Sequence, residues 1–134
     1  FSGATDLGVQ INKGRKLESK KLSLHLIKEL YEIKKENNKI SFGAKVTLHQ
    51  FQELIEKEVP KLNDFFHIFA SPQIKNTATV VGNLANGSPI ADSTPTLMSL
   101  DAELTLMGSQ GKRVVPLKNF YKDYKKLNNF FNTH

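Results

Sequence analysis

Cysteine and tryptophan are absent from this chain of 134 residues, and methionine occurs only twice. The absence of cysteine excludes disulfide bonds, cysteine-ligated zinc, a protein-bound iron–sulfur cluster and a thiol nucleophile from this polypeptide. No apolar run approaches the ~18 residues that a membrane-spanning helix requires, and the opening residues lack the basic and apolar regions of a signal peptide. We therefore expect a cytoplasmic protein that does not associate with membranes.

Acidic residues are fewer than basic ones, 13 against 19, and the net charge of +6 is unevenly distributed. Residues 12–39 carry nine Lys or Arg against four Glu, and residues 112–126 carry six against one Asp. Nucleic-acid binding is one interpretation of such regions, and solvated faces or attraction for an anionic ligand are the alternatives. Because we find neither a basic amphipathic helix nor a basic strand interleaved with aromatics, we do not expect nucleic acid to be the partner.

Short alternating segments in the first third of the chain predict strands. Leu22–Leu26 alternates strictly between apolar and polar residues, and Leu30–Ile33 and Ile40–Ala44 are two further candidates. The Asn37–Asn38 pair tolerates positive φ, so we expect the second and third segments to form a hairpin.

Helices are predicted to follow. Thr47 and Gln50 have the spacing of a capping box at a helix start, and Pro60 limits that helix. A second helix is expected from four apolar residues at helical spacing, which we interpret as core: Leu62, Phe65, Phe66 and Phe69.

The last third predicts a short helix, a hairpin and a final helix. Asp92 or Ser93 is placed to cap the short helix. Glu103–Leu106 and Arg113–Leu117 flank a GSQGK turn and predict the hairpin, and Asn119–Leu127 predicts the final helix. Strands in hairpins together with a block of helices indicate an α+β fold.

A neutral stretch stands out in a chain that is otherwise one quarter charged: Asn76–Ala91 has no ionisable side chain. We name two related parts of the sequence the first glycine segment (Ser2–Gly8) and the second glycine segment (Thr79–Ser88). Both are predicted to be loops whose small residues let a ligand touch the main chain. Because aligned main-chain N–H groups bind phosphate without a formal positive charge, the pair could hold the diphosphate of a dinucleotide.

Ordinary glycine turns are the alternative, since neither segment matches GxGxxG or a Walker sequence. Asp6 and Asp92 are the only carboxylates in or beside the two segments, and for Asp92 both a helix cap and a contact to a sugar hydroxyl are open. The four histidines are dispersed without metal-ligand spacing, so we interpret them as structural or surface residues.

The stretches SGATDLGV, ISFGAKVTL and FASPQIKNTATVVGNLANGSPIADSTPTLMSLDAELTL resemble the FAD-binding domain of molybdenum hydroxylases, above all the FAD-bearing small subunit or domain of the xanthine dehydrogenases. The resemblance extends from residue 2 to about residue 125. It implies a p-cresol-methylhydroxylase-type FAD-binding fold, with β-hairpins packed against a block of helices. By position, it implies FAD contacts at Gly3, Ala4, Thr5, Asp6 and Leu7 around the pyrophosphate, at Phe69 near the flavin, and at Thr79, Gly82, Asn83, Asn86, Ser88 and Asp92 around phosphate, ribityl and adenosine groups.

Two residues depart from the family pattern. The family usually has a Gly pair where this chain has Val81-Gly82, and commonly has Gly or Asn in place of Ala4. If Val81 required a positive φ, its β-branched side chain would be strained, and Val81→Gly would then raise FAD affinity. The chain is also short for the family. We therefore expect residues 1–134 to be a partial FAD-binding domain, inactive alone, with the N-terminal strand and the C-terminal subdomain missing.

The resemblance implies an FAD-dependent oxidoreductase component without catalytic or metal-binding residues of its own. In such enzymes a molybdenum cofactor on another domain or subunit oxidises the substrate. Electrons pass through [2Fe–2S] clusters on an iron–sulfur domain or subunit to FAD, which reduces NAD or another acceptor. The alternative is a flavin-free interaction module or fragment of such an enzyme.

Overall fold

Residues 1–14, 20–123 and 126–127 are described by the structure, a computed structural model. They fall into two compact units, Phe1–Gly82 and Asn83–His134. Among these residues, no helix is long and apolar enough to cross a membrane.

In its described residues the first unit is mainly helical and contains one hairpin. Its elements in chain order are α1 (Thr5–Asn12), a 3₁₀ turn (Lys28–Tyr31), β1 (Ile33–Glu36), β2 (Lys39–Phe42), α2 (Leu48–Glu58), a second 3₁₀ turn (Pro60–Leu62), α3 (Asn63–Ile68) and α4 (Pro72–Thr77). A fifth helix, α5 (Val80–Asn86), contains the boundary between the units.

The predicted hairpin is confirmed, with its first strand three residues later than expected. β1 and β2 pair antiparallel from Ile33↔Phe42 to Glu36↔Lys39. Asn37 and Asn38 form the turn with φ of 45° and 62°, because two consecutive left-handed residues match the twist of a tight hairpin.

The predicted strand at Leu22–Leu26 is wrong, because this part of the chain is irregular and ends in a turn. Leu22 and Leu26 are 76% and 90% exposed, and Leu24 N–H donates to the carbonyl of Phe1 (3.1 Å). Alternation favours a strand only where a neighbouring strand and a buried face are available, and this segment has neither within the described residues.

The start of α2 is confirmed in detail. The Thr47 hydroxyl accepts from Gln50 N–H (3.2 Å), and the Gln50 side chain accepts from Thr47 N–H (3.0 Å), which is a complete capping box. The helix buries Leu48, Phe51 and Ile55 on one face and ends before Pro60, which cannot continue it.

The aromatic stripe belongs to the core, although its predicted helix is broken into a 3₁₀ turn and α3. Phe66 is 1% exposed, and its ring centroid lies 5.3 Å from that of Phe51 of α2. Lys75 of α4 is also buried. Its Nζ donates to the carbonyls of Phe66 (2.6 Å) and His67 (3.2 Å) at the end of α3, which accept no other main-chain hydrogen bond among the described residues.

The second unit packs one helix with short antiparallel strands. After the end of α5 it contains α6 (Ser93–Ser99), β3 (Glu103–Gly108), β4 (Gly111–Pro116), a 3₁₀ turn (Leu117–Asn119), β5 (Tyr121–Asp123) and β6 (Lys126–Leu127). The predicted hairpin is confirmed by the pairing of β3 with β4. Its core contains Leu84, Leu97, Val115, Leu117 and Phe120.

The predicted final helix at Asn119–Leu127 is wrong over the described residues. Its residues instead complete a 3₁₀ turn and form β5 and β6, which pair antiparallel from Tyr121↔Leu127 to Asp123↔Lys126. This pairing supplies the main-chain hydrogen bonds that a helix would otherwise provide. Tyr124, on which the helical spacing also depended, lies outside the described residues.

Candidate cofactor-binding site

The first glycine segment is anchored by the residues that follow β2. The Ser2 hydroxyl donates to the carbonyl of Ala44 (2.8 Å), and Lys45 Nζ donates to the carbonyl of Ser2 (3.1 Å). Lys45 is buried, and its ammonium lies 5.6 Å from the centre of the Tyr31 ring, whose face attracts a cation. No local sequence pattern indicates this role of Lys45, because the contact joins residues 43 positions apart.

Gly3 brings the first glycine segment against the residues that precede the second. A Cβ built at Gly3 would lie 2.3 Å from the carbonyl oxygen of Thr77 and 3.0 Å from Cα of Ala78. Only glycine allows the two main chains to approach this closely. Within the first unit, the first segment therefore lies directly beside the peptide that leads into Thr79.

Ala4 is the N-cap residue of helix α1. Its backbone is left-handed (φ 58°, ψ 16°), which costs free energy for residues other than glycine. The helix begins at Thr5, so the prediction of a loop over residues 2–8 is wrong after Ala4. The first hydrogen bond of the helix joins Gly8 N–H to Ala4 O (2.7 Å).

Three main-chain N–H groups in the first turn of α1 have no acceptor among the described residues: those of Thr5, Asp6 and Leu7. N–H groups in this position carry the positive end of the helix dipole and bind phosphate oxygens. The Asp6 carboxylate accepts instead from the Gln10 side chain, along the flank of the helix. At Gly8 a Cβ would meet no atom within 4 Å, so α1 is open there.

Thr79 and Gly82 form the start of the second glycine segment. Thr79 is buried and pairs with Thr47 in an antiparallel bridge, and Val80 N–H donates to Val46 O (3.2 Å). The Thr79 hydroxyl accepts from Gly82 N–H (3.1 Å) and so caps the start of α5. A Cβ at Gly82 would lie 2.7 Å from that hydroxyl oxygen. The contact with Thr79 therefore favours glycine at this position, whether or not a ligand is bound.

Most of the second glycine segment is helical, and its prediction as a loop is wrong. α5 covers Val80–Asn86, and Gly87 follows with φ 61°, the left-handed residue that commonly ends a helix. Leu84 and the first residue of the helix are buried, which explains why a polar sequence is helical here. Val81 lies in this helix and is not among the residues with positive φ, so the strain considered for it is absent.

Four of the predicted site residues belong to the second unit. Asn83 and Asn86 are three positions apart on α5, Ser88 lies just after that helix, and Asp92 immediately precedes α6. Their side chains make no hydrogen bond to the described residues, so their amide, hydroxyl and carboxylate groups can bind a ligand. The capping role considered for Asp92 is not observed, since it has helical φ and ψ (−62°, −27°) and its side chain accepts no cap hydrogen bond.

Phe69, predicted to lie near the flavin, is half-buried at the end of α3. Its ring stacks on Phe65, with centroids 5.7 Å apart, and meets the ring of Phe66 edge-on at 6.1 Å. Within the described residues, its ring contacts are to these two phenylalanines and not to the glycine segments.

The candidate groups within each unit suit hydrogen bonding rather than acid–base or metal chemistry. No cluster of three or more His, Asp or Glu residues in the described part of the chain could hold a metal ion. Asp6 and Asp92 are exposed carboxylates, and the other donors and acceptors are main-chain N–H groups, amides and hydroxyls. Such groups fit the phosphate oxygens and sugar hydroxyls of a dinucleotide, which require hydrogen-bond partners and not reactive side chains.

Comparison with known families decides which dinucleotide is relevant. Residues 1–129 match the family described as the FAD binding domain in molybdopterin dehydrogenase. The chain belongs to this family. The resemblance noted in the sequence is thereby confirmed, and FAD is the cofactor of the family.

Relatives of this family member come from animals and bacteria. The chain is 32% identical over 136 aligned residues to a xanthine dehydrogenase/oxidase of Gallus gallus, covering 92% of the chain and 10% of that protein. It is 33% identical to the xanthine dehydrogenase FAD-binding subunit of Escherichia coli O157:H7 (90% and 42% covered) and 31% identical to the nicotinate dehydrogenase FAD-subunit of Eubacterium barkeri (96% and 45%). The chain thus spans about a tenth of the first relative and less than half of the two subunits.

Solved structures agree with the predicted α+β flavin-binding fold. A Cu,Mo-containing CO dehydrogenase superposes with a TM-score of 0.88 at 25% identity, covering 96% of this chain and 46% of that one. Quinoline 2-oxidoreductase from Pseudomonas putida 86 gives a TM-score of 0.87 at 25% identity, with the same coverage. The predicted fold class is confirmed.

Proposed function

We propose that this chain binds FAD through its two glycine segments as part of a xanthine-dehydrogenase-like molybdenum hydroxylase. The observation that carries the proposal is the contact of Gly3 with the Thr77–Ala78 main chain. It brings the start of α1, with its N–H groups that lack acceptors, beside the peptide leading into the second glycine segment. Family membership supports FAD as the dinucleotide.

The residue roles in the proposal follow the resemblance together with the geometry of each unit. In the first unit, the main chain of residues 3–7 contacts the diphosphate, and Thr79 and Gly82 fix the start of α5 beside it. Phe69 contacts the isoalloxazine ring. In the second unit, the side chains of Asn83, Asn86, Ser88 and Asp92, which have no hydrogen-bond partner among the described residues, contact phosphate, ribityl and adenosine groups.

FAD supplies the electron-transfer chemistry when it is bound, and the protein supplies binding, orientation and electrostatics. We propose that the whole enzyme also contains a molybdenum-cofactor subunit and an iron–sulfur domain or subunit, and that NAD or another acceptor receives the electrons. These 134 residues would then be part of a larger FAD-binding domain, which is consistent with their coverage of 42–45% of the related FAD subunits.

Titration of the purified chain with FAD tests the proposal, followed by flavin fluorescence and absorbance. Asn86→Ala removes an amide that has no hydrogen-bond partner among the described residues, so stability should change little. Losing a hydrogen bond to FAD should weaken binding by about tenfold. Asn12→Ala, at the exposed end of α1, is the matched control and should bind FAD as the wild type does.

Two outcomes would contradict the proposal. One is that the folded wild-type chain takes up no FAD. The other is that Asn86→Ala and Asn12→Ala bind FAD with the affinity of the wild type, which would remove the second glycine segment from the site.

A further inference from the structure

The hydroxyl of Tyr121 contacts both ends of one stretch of the second unit. It donates to the carbonyl oxygen of Leu84 (3.0 Å), and the Thr94 hydroxyl oxygen lies 3.4 Å from it. A tyrosine hydroxyl has a single proton, which here is directed to Leu84, so Thr94 is the donor in the second contact. Residues 85–93 lie between these two contacts and include three of the residues proposed to bind FAD.

Main-chain hydrogen bonds close this stretch only locally. Gly87 N–H donates to Leu84 O (3.1 Å), Ala91 N–H to Ser88 O (3.2 Å) and Thr94 N–H to Ala91 O (3.1 Å). Each of these bonds spans three residues, so none of them links the beginning of the stretch to its end. Within the described part of the chain, the Tyr121 hydroxyl makes that link.

The ring and the hydroxyl of Tyr121 have separable roles. The ring packs edge-on against Phe120, with centroids 5.1 Å apart, and a phenylalanine at this position would keep that contact. The hydroxyl makes the hydrogen bonds to Leu84 and Thr94. Burial raises the pKa of the Tyr121 phenol, so the hydroxyl remains a donor at neutral pH.

We infer that Tyr121 is a positioning residue for FAD: its hydroxyl holds residues 85–93 in the conformation in which Asn86, Ser88 and Asp92 meet the cofactor. This inference rests on the proposed function. The free protein with Tyr121 has a preorganised stretch, whereas without the hydroxyl FAD binding must order that stretch. Because one net hydrogen bond is involved, FAD affinity should fall by about threefold to tenfold in Tyr121→Phe.

The test compares three forms of the full chain: wild type, Tyr121→Phe and Val115→Ala. Val115 is buried in β4, and its truncation lowers the stability of the second unit without altering the Tyr121 hydroxyl. FAD dissociation constants are measured well below the melting temperature of all three. Amide hydrogen exchange of residues 85–93 is followed with and without FAD.

We expect Tyr121→Phe to bind FAD more weakly and to exchange the amides of residues 85–93 faster in the free protein. When FAD is added, these amides should again be protected from exchange. Val115→Ala should bind FAD normally despite its lower stability. Unchanged FAD affinity of Tyr121→Phe, or equal weakening in both variants, would overturn the inference. Absence of FAD binding by the wild type would contradict the proposed function itself, and unchanged exchange in Tyr121→Phe would then reject the ordering role as well.

Discussion

Ala4 and Ala70 form a natural pair for testing how the first glycine segment is built. Both are alanines in the left-handed conformation, with φ of 58° and 59°. This backbone costs an L-residue about 1–2 kcal/mol, whereas replacement by glycine costs about 0.5–1 kcal/mol in unfolded-chain entropy. Ala70 is exposed and Ala4 half-buried, so glycine loses a little more apolar contact at position 4. We expect free energies of unfolding to rise by about 0.5 kcal/mol in Ala4→Gly and about 0.5–1 kcal/mol in Ala70→Gly.

The opposite substitutions separate stability from cofactor binding. A β-branched residue is poorly tolerated at positive φ, so Ala4→Val and Ala70→Val should both destabilise, by about 1–2 kcal/mol. Only Ala4 determines the direction of the N–H groups that begin α1, so Ala4→Val should weaken FAD binding more than Ala70→Val, whose backbone adjoins Phe69. Urea denaturation and FAD titration of all four variants provide the measurements. A loss of more than about 0.5 kcal/mol of stability in Ala4→Gly, or equal FAD affinity of the two valine variants, would refute this role of Ala4.

Three further predictions concern two buried polar groups and the half-buried Tyr121. Lys75→Met leaves the carbonyls of Phe66 and His67 without their donor, so the free energy of unfolding measured in urea should fall by about 2–3 kcal/mol. The control Lys61→Met, at an exposed lysine, should leave it nearly unchanged. Ser93 is 0% exposed, and its Oγ has no hydrogen-bond partner in the described part of the chain. Ser93→Ala should therefore raise the free energy of unfolding by about 1 kcal/mol. A lower free energy of unfolding would show that the hydroxyl donates to an acceptor. Because the pKa of Tyr121 is raised in the folded protein, its contribution to stability is present below pH 10 and is lost as the pH rises through the folded-state pKa. The free energy of unfolding of the wild type should therefore exceed that of Tyr121→Phe by less above pH 10 than below it. A difference that stays constant with pH would contradict this prediction.

Features that depend on neighbouring residues were predictable from the sequence. The capping box at Thr47 and Gln50 and the turn at Asn37–Asn38 involve residues at most three positions apart, and both are present. The hairpin of β3 and β4 was likewise indicated by alternation around a glycine-containing turn. The family and its cofactor were also predictable, because SGATDLGV and the stretch that begins at Phe69 resemble the FAD-binding domain of molybdenum hydroxylases.

Features that depend on distant contacts were not predictable. The second glycine segment has the composition of a loop, yet burial of Leu84 stabilises it as helix α5. The supports of the site come from Lys45, which reaches Ser2 across 43 positions, and from Tyr121, which reaches Leu84 across 37. The strain expected near Val81 lies instead at Ala4, because positive φ is a property of the backbone that the sequence shows only indirectly.

Amide NMR of the ¹⁵N-labelled chain during FAD titration tests the central claim most directly, since it reports on individual N–H groups. If the start of α1 binds the diphosphate, the resonances of Gly3, Ala4, Thr5, Asp6 and Leu7 should shift with saturation in parallel with flavin uptake, while those of β1 and β2 remain in place. FAD uptake without any shift in Thr5, Asp6 and Leu7 would show that the cofactor binds elsewhere and would contradict this account.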